Sequence, residues 1–167
     1  MKNILSLNQL MRTGFRLREV MAGKHEFVSR RGPAGEFPFS FELDWGSDSL
    51  ADFLNPLHKQ NFLLAASEGI IRVGELVDQA PCKGSLELNY FSEAKIRYRM
   101  TFAVKGSRYE YIGEKLGIRP WNLHRTHTTC YGVIHDLEKG HEVSRSITRF
   151  DLKSLPGFLS SFHLRRD

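Results

Sequence analysis

The stretch Ile118-Arg119-Pro120-Trp121-Asn122-Leu123-His124-Arg125-Thr126-His127-Thr128-Thr129 gathers the side chains best suited to chemistry. His124 and His127 are three residues apart, so on a helix they would share a face and could bind one metal ion. On a strand they would point to opposite faces. Pro120 and the β-branched threonines favour a loop followed by a strand. A metal also needs a third and a fourth ligand, and His25, Glu114 or His135 could serve only if the fold brings them in. The segment therefore reads as polar side chains closing one end of a domain, and no metal is expected.

Other constellations are sparse. Glu114 could act as a general base if buried, and with His127 in one pocket it would make a small enzyme. The blander role of Glu114 is an ion pair with Lys115 or Arg119. Gly-x-Ser-x-Gly is absent, as are a Gly-x-Gly-x-x-Gly after a strand and a phosphate-cradling loop. Cys82 lies between Pro81 and Lys83, and Cys130 reads as a small packed hydrophobe. No catalytic residue and no cofactor are expected, with a haem held by histidine as a minor alternative.

The elements that must position these groups are mostly strands. Phe37, Phe39, Phe41, Leu43 and Trp45 alternate with polar residues, the period of a half-buried strand. Ile96, Tyr98, Met100, Phe102 and Val104 do the same, and with Tyr109 and Tyr111 beyond Gly106-Ser107 they predict a hairpin over 95–114. A strand pair is expected around Glu68–Val77, a turn over Asp78–Gly84, and strands at Thr126–His135 and Glu142–Thr148. Leu7, Leu10, Met11, Gly14, Leu17 and Met21 recur at helical spacing and predict an N-terminal helix over 5–21. Leu152, Leu155, Phe158, Leu159 and Phe162 predict a short C-terminal helix. The expectation is one mainly β domain over 1–167, an antiparallel, lipocalin-like barrel of about eight strands, with an open sandwich as the structural alternative.

Composition narrows the classes. The chain has 167 residues, enough for one well-buried core, and is 41% hydrophobic and 26% charged. The net charge is +5, but the arginines and lysines are scattered and no nucleic-acid motif accompanies them, so no nucleic-acid partner is expected. Two cysteines at unrelated spacing give no disulfide framework, and no signal-peptide pattern opens the chain, so a cytoplasmic setting is expected. No run approaches the length of a membrane span. The 5–21 helix reads first as a cap on the domain; with Arg12, Arg16 and Arg18 largely off its apolar face, peripheral contact with an anionic membrane or a partner is the sharper alternative.

Six phrases carry a resemblance when taken in order. They are Met21-Ala22-Gly23-Lys24-His25, Gly69-Ile70-Ile71-Arg72-Val73-Gly74, Gly84-Ser85-Leu86-Glu87-Leu88, Ile96-Arg97-Tyr98-Arg99-Met100-Thr101-Phe102, Tyr109-Glu110-Tyr111-Ile112-Gly113-Glu114-Lys115 and the Trp121–Thr129 segment. Together, over roughly residues 21–164, they resemble an accessory region found in cholesterol-oxidase-like members of the glucose-methanol-choline oxidoreductases and in associated hydrolase proteins. The 5–21 segment lies outside the match, which leaves 22–164 as the barrel. The flavin in that family sits in a separate Gly-rich domain, and this chain has no such fingerprint, so the resemblance implies neither flavin binding nor the oxidoreductase site. It implies an association with sterol or lipid metabolism, and with a flavin-dependent oxidoreductase or hydrolase as partner.

Two non-catalytic functions follow as expectations. In the first, the barrel holds an apolar or amphipathic small molecule, sterol-like or lipid-like, against Tyr98, Met100, Phe102 and Tyr111, with Arg119, Trp121, His124 and His127 at the mouth. In the second, the interior is fully packed and the outer surface docks a partner protein. The small enzyme is the least favoured of the three.

Overall fold

A computed structural model describes residues 8–9, 12–118, 129–150 and 155–166. Its core is a closed antiparallel barrel of eight strands. These are β1 (Thr13–Phe27), β2 (Glu36–Ser47), β3 (Leu64–Val73), β4 (Val77–Asn89), β5 (Lys95–Val104), β6 (Ser107–Lys115), β7 (Thr129–Asp136) and β8 (His141–Phe150). Each strand pairs with the next, and β1 closes the ring by pairing with both β2 and β8. A ninth strand, β9 (His163–Arg166), continues the second edge of β1 by pairing Thr13–Arg16. Helix α1 (Leu50–Leu54) follows β2, and helix α2 (Leu155–Ser161) precedes β9. No described helix is long and apolar enough to cross a membrane.

The alternating segments fold as their periods dictate. Phe39, Phe41, Leu43 and Trp45 are buried on β2, and Ile96, Tyr98, Met100 and Phe102 on β5. The β5–β6 hairpin turns at Lys105 and Gly106, with φ of 48° and 85°. Two consecutive positive φ values give a primed turn, whose twist matches the flanking strands.

Three expectations need correction. Most of the expected 5–21 helix is strand, because β1 runs from Thr13 to Phe27. Its alternation is Phe15, Leu17, Glu19, Met21 and His25, and two of those inward side chains are polar, which disguises the period of two. The amphipathic helix proposed to lie on a membrane falls with it. The C-terminal helical spacing yields only seven residues, α2, before the chain re-enters the sheet as β9. The turn expected over Asp78–Gly84 is the middle of β4. Gly84 stands there because a Cβ would collide with the backbone carbonyl of Arg99 on β5.

The two barrel ends differ. One carries the short β3–β4, β5–β6 and β7–β8 turns and the β1–β2 connection. The other carries the long β2–β3 connection with α1, the β4–β5 connection, and residues 116–118 after β6. We call this second end the open end, as a label for its longer connections.

Candidate functional site

The barrel interior is built from unequal walls. β2 and β5 send in Phe39, Phe41, Trp45, Tyr98, Met100 and Phe102. β7 and β8, beside the buried Ile134 and Val143, supply small or polar groups: Cys130, Gly132, Ser144, Ser146 and Thr148. Large rings from one side therefore fill the space left by small residues on the other. Phe39 lies 5.2 Å from the Tyr111 ring, and Phe41 lies 5.4 Å from Tyr98 and 5.6 Å from Tyr111, centroid to centroid. Gly132 leaves the room that Tyr111 occupies, since a Cβ there would collide with its ring.

Towards the open end, a charged network crosses the interior. The Lys115 ammonium on β6 sits 2.7 Å from a Glu19 carboxylate oxygen on β1. The Tyr98 hydroxyl on β5 donates to both Glu19 oxygens, at 3.1 and 2.9 Å. Lys115 Nζ also lies 5.2 Å from the centre of the Tyr98 ring, within cation–π range. All three residues are buried. Burial, with the Glu19 charge second, holds the Tyr98 hydroxyl well above the usual tyrosine range. Tyr90, in the β4–β5 connection, is pushed up to about 12 by the same two causes.

Several buried polar atoms have no hydrogen-bond partner among the described residues. Trp45 Nε1 and Ser67 Oγ are two of them, on residues directly opposite each other in the β2–β3 ladder. Ser146 and Thr148 lie beside the Tyr111 hydroxyl, and their hydrogen bonding to it works against the burial that raises its pKa. An unpaired buried polar group costs about 1–3 kcal/mol, so packing alone does not account for Trp45 Nε1 and Ser67 Oγ. The rim of the open end is apolar as well. Leu54, Leu57, Phe91 and Leu116 are 56%, 85%, 79% and 53% exposed there.

The residues expected to bind divide cleanly. Tyr98, Met100, Phe102 and Tyr111 all point into the barrel and are buried. Arg119, Trp121, His124 and His127 lie outside the described residues. Glu114 faces the outer surface, where it accepts from Arg97 Nε at 2.9 Å and lies 3.5 Å from Lys95, an ion-pair role. Both cysteines are buried and inward, and burial raises each thiol to about 11, which keeps them protonated and unreactive. Among the described residues, no group of three His, Cys, Asp or Glu could hold a metal ion. Reading residues alone missed Glu19 and Lys115, because nothing local marks two charges 96 residues apart as partners.

The outer wall carries a second feature, an open groove of about 970 Å3 across β6, β7, β8 and β1. Tyr131 and Ile147, directly paired across β7 and β8, project into it and are about half exposed. Arg145, Arg149 and Lys24 border it together with Glu26, Glu36 and Glu114. Set against models of protein families, curated proteins and solved structures, the chain matches none.

Proposed function

We propose that the chain is a non-catalytic binding module that takes an apolar or amphipathic small molecule through the open end of its barrel. The observation that carries this reading is the pair of buried, unpartnered polar atoms Trp45 Nε1 and Ser67 Oγ, side by side on the inner wall. An amphiphile would bring them the hydrogen bonds they lack and would remove its own chain from water. Burial is worth roughly 25 cal/mol per Å2 of apolar surface. The exposed Leu54, Leu57, Phe91 and Leu116 supply an apolar rim over which such a molecule would enter. The lining side chains include Tyr98, Met100, Phe102 and Tyr111. Association with lipid or sterol oxidoreductase or hydrolase systems is part of the same proposal.

The test is native mass spectrometry on protein purified without detergent. A retained adduct of lipid size, lost on denaturation and depleted by Trp45→Phe with Ser67→Ala, is the expected result. A bare mass at every gentle setting, before and after incubation with 1-decanol, would overturn the reading.

A second reading has its own observation. The rings that cross the interior leave it closely packed around Tyr111, while the outer groove exposes Tyr131 and Ile147. In that reading the barrel is a scaffold and the groove receives a partner protein. Tyr131→Glu would then abolish capture of the partner and leave thermal stability unchanged.

A further inference from the structure

We infer that the interior site selects uncharged amphiphiles, alcohols or ketones with a long apolar body, and rejects the matching carboxylate and amine. This inference rests on the binding reading above and specifies the head group.

In the open-end half of the interior, the buried charges among the described residues are the Glu19 carboxylate and the Lys115 ammonium. They lie 2.7 Å apart and cancel. The other buried titratable groups are accounted for elsewhere. Asp136 accepts from the backbone N–H groups of Glu138 and Lys139 at the opposite end. His25 is held between the Gly74 carbonyl and the Ser144 hydroxyl, and burial lowers its affinity for a proton, so it adds no charge. A carboxylate or ammonium entering this space would be a third charge with no counter-ion among the described residues, in a setting where desolvation is not repaid.

The donor inventory separates the ammonium from the rest, whereas a carboxylate, which could accept from both groups, is disfavoured by charge balance alone. Both Glu19 oxygens are engaged by Tyr98, and one of them also by Lys115, so the network presents no idle charged acceptor. The vacant partners are Trp45 Nε1, a donor only, and Ser67 Oγ, a donor or an acceptor. A ligand hydroxyl can accept from the indole and donate to the serine. A ketone can accept from both. An ammonium has nothing to offer the indole.

The test is a titration of the full chain with four chain-matched probes at neutral pH, each below its aggregation limit: 1-decanol, 2-decanone, decanoate and decylamine. Calorimetry would measure the affinities. The alcohol and ketone are expected to bind at least about tenfold more tightly than either ion. Decanoate or decylamine binding as tightly as decanol would overturn the inference while leaving the binding reading intact. If none of the four binds, both fail.

Glu19→Gln supplies a second arm. It keeps the acceptor for Tyr98 but leaves the Lys115 charge unbalanced, so decanoate should gain at least about tenfold and close the gap to decanol. A folded Glu19→Gln protein with unchanged selectivity would show that charge balance does not set the preference. If that variant does not fold, the wild-type panel decides alone.

Discussion

Tyr98 and Glu19 stand on opposite walls of the barrel, and the Tyr98 hydroxyl spans the interior to donate to both carboxylate oxygens. With Lys115 the pair forms a cross-brace between β1, β5 and β6, strands that share no β1 ladder with β5 or β6. Removing one member of a buried ion pair leaves the other charge uncompensated. Lys115→Met should therefore lower the unfolding free energy by about 3–5 kcal/mol. Lys115→Met with Glu19→Gln should lose markedly less, because no isolated charge remains. Urea denaturation of both variants checks this; equal losses would mean that the pair acts only through packing.

Stability should fall on mild acidification, and His25 should account for part of the fall. Its Nε2 lies 2.9 Å from the Gly74 carbonyl and its Nδ1 lies 3.1 Å from the Ser144 hydroxyl. Phe27, Phe37 and Phe39 surround the ring. Burial, partly offset by the Gly74 bond, lowers the folded pKa below the ordinary 6.5. The unfolded chain thus binds the proton more readily, and stability rises with pH in the interval between the two values. The contribution is complete above about 6.5 and is lost as pH falls from there towards the folded value. His25→Phe should flatten that limb in denaturant melts taken across the interval. An identical slope in both proteins would remove His25 as the cause.

Gly132 and Tyr111 should be thermodynamically coupled. A methyl group at Gly132 collides with the Tyr111 ring, which is itself fully buried. Gly132→Ala should cost about 1–3 kcal/mol by overpacking. In a Tyr111→Leu background the same substitution should cost much less, a coupling that a double-mutant cycle reads directly. Additive losses would place the clash elsewhere.

Cys82 and Cys130 should be silent towards thiol reagents in the folded protein. With both thiols near 11, the thiolate fraction at neutral pH is roughly one in ten thousand, and access is blocked as well. A dithiobenzoate assay should release no colour until urea is added, and then two equivalents, one for each cysteine. Rapid labelling of the native protein would show that the wall opens around one of them.

How much of this was legible depended on which side chains faced inward. β2 and β5 could be read because their inward residues are large and apolar, from Phe37 to Trp45 and from Ile96 to Val104. β1 could not, because Glu19 and His25 occupy inward positions while Leu17 and Met21 fit a helical spacing equally well. β4 was obscured by Pro81 and Gly84, residues that usually end strands; here Gly84 admits the neighbouring backbone. Closure of the ring decides which walls face each other, and no local pattern encodes that. The contacts of Glu19 with Tyr98 and Lys115 therefore emerge only once the barrel is shut, whereas the Trp45–Ser67 pair needs only the β2–β3 register.

The seam at β1 has a consequence for biosynthesis. This strand is made before β2 to β7, yet among the described residues its second edge is covered by β8 and β9, which are made after them. At ordinary rates of translation the delay is of the order of ten seconds. Throughout that time the nascent chain offers a long, unsatisfied edge to any neighbouring polypeptide. The long sequence separation across the seam also slows closure, because loop entropy must be overcome before the contacts form. Shielding of β1 during synthesis would act on that exposed interval, which a gain in the final stability of the barrel does not shorten.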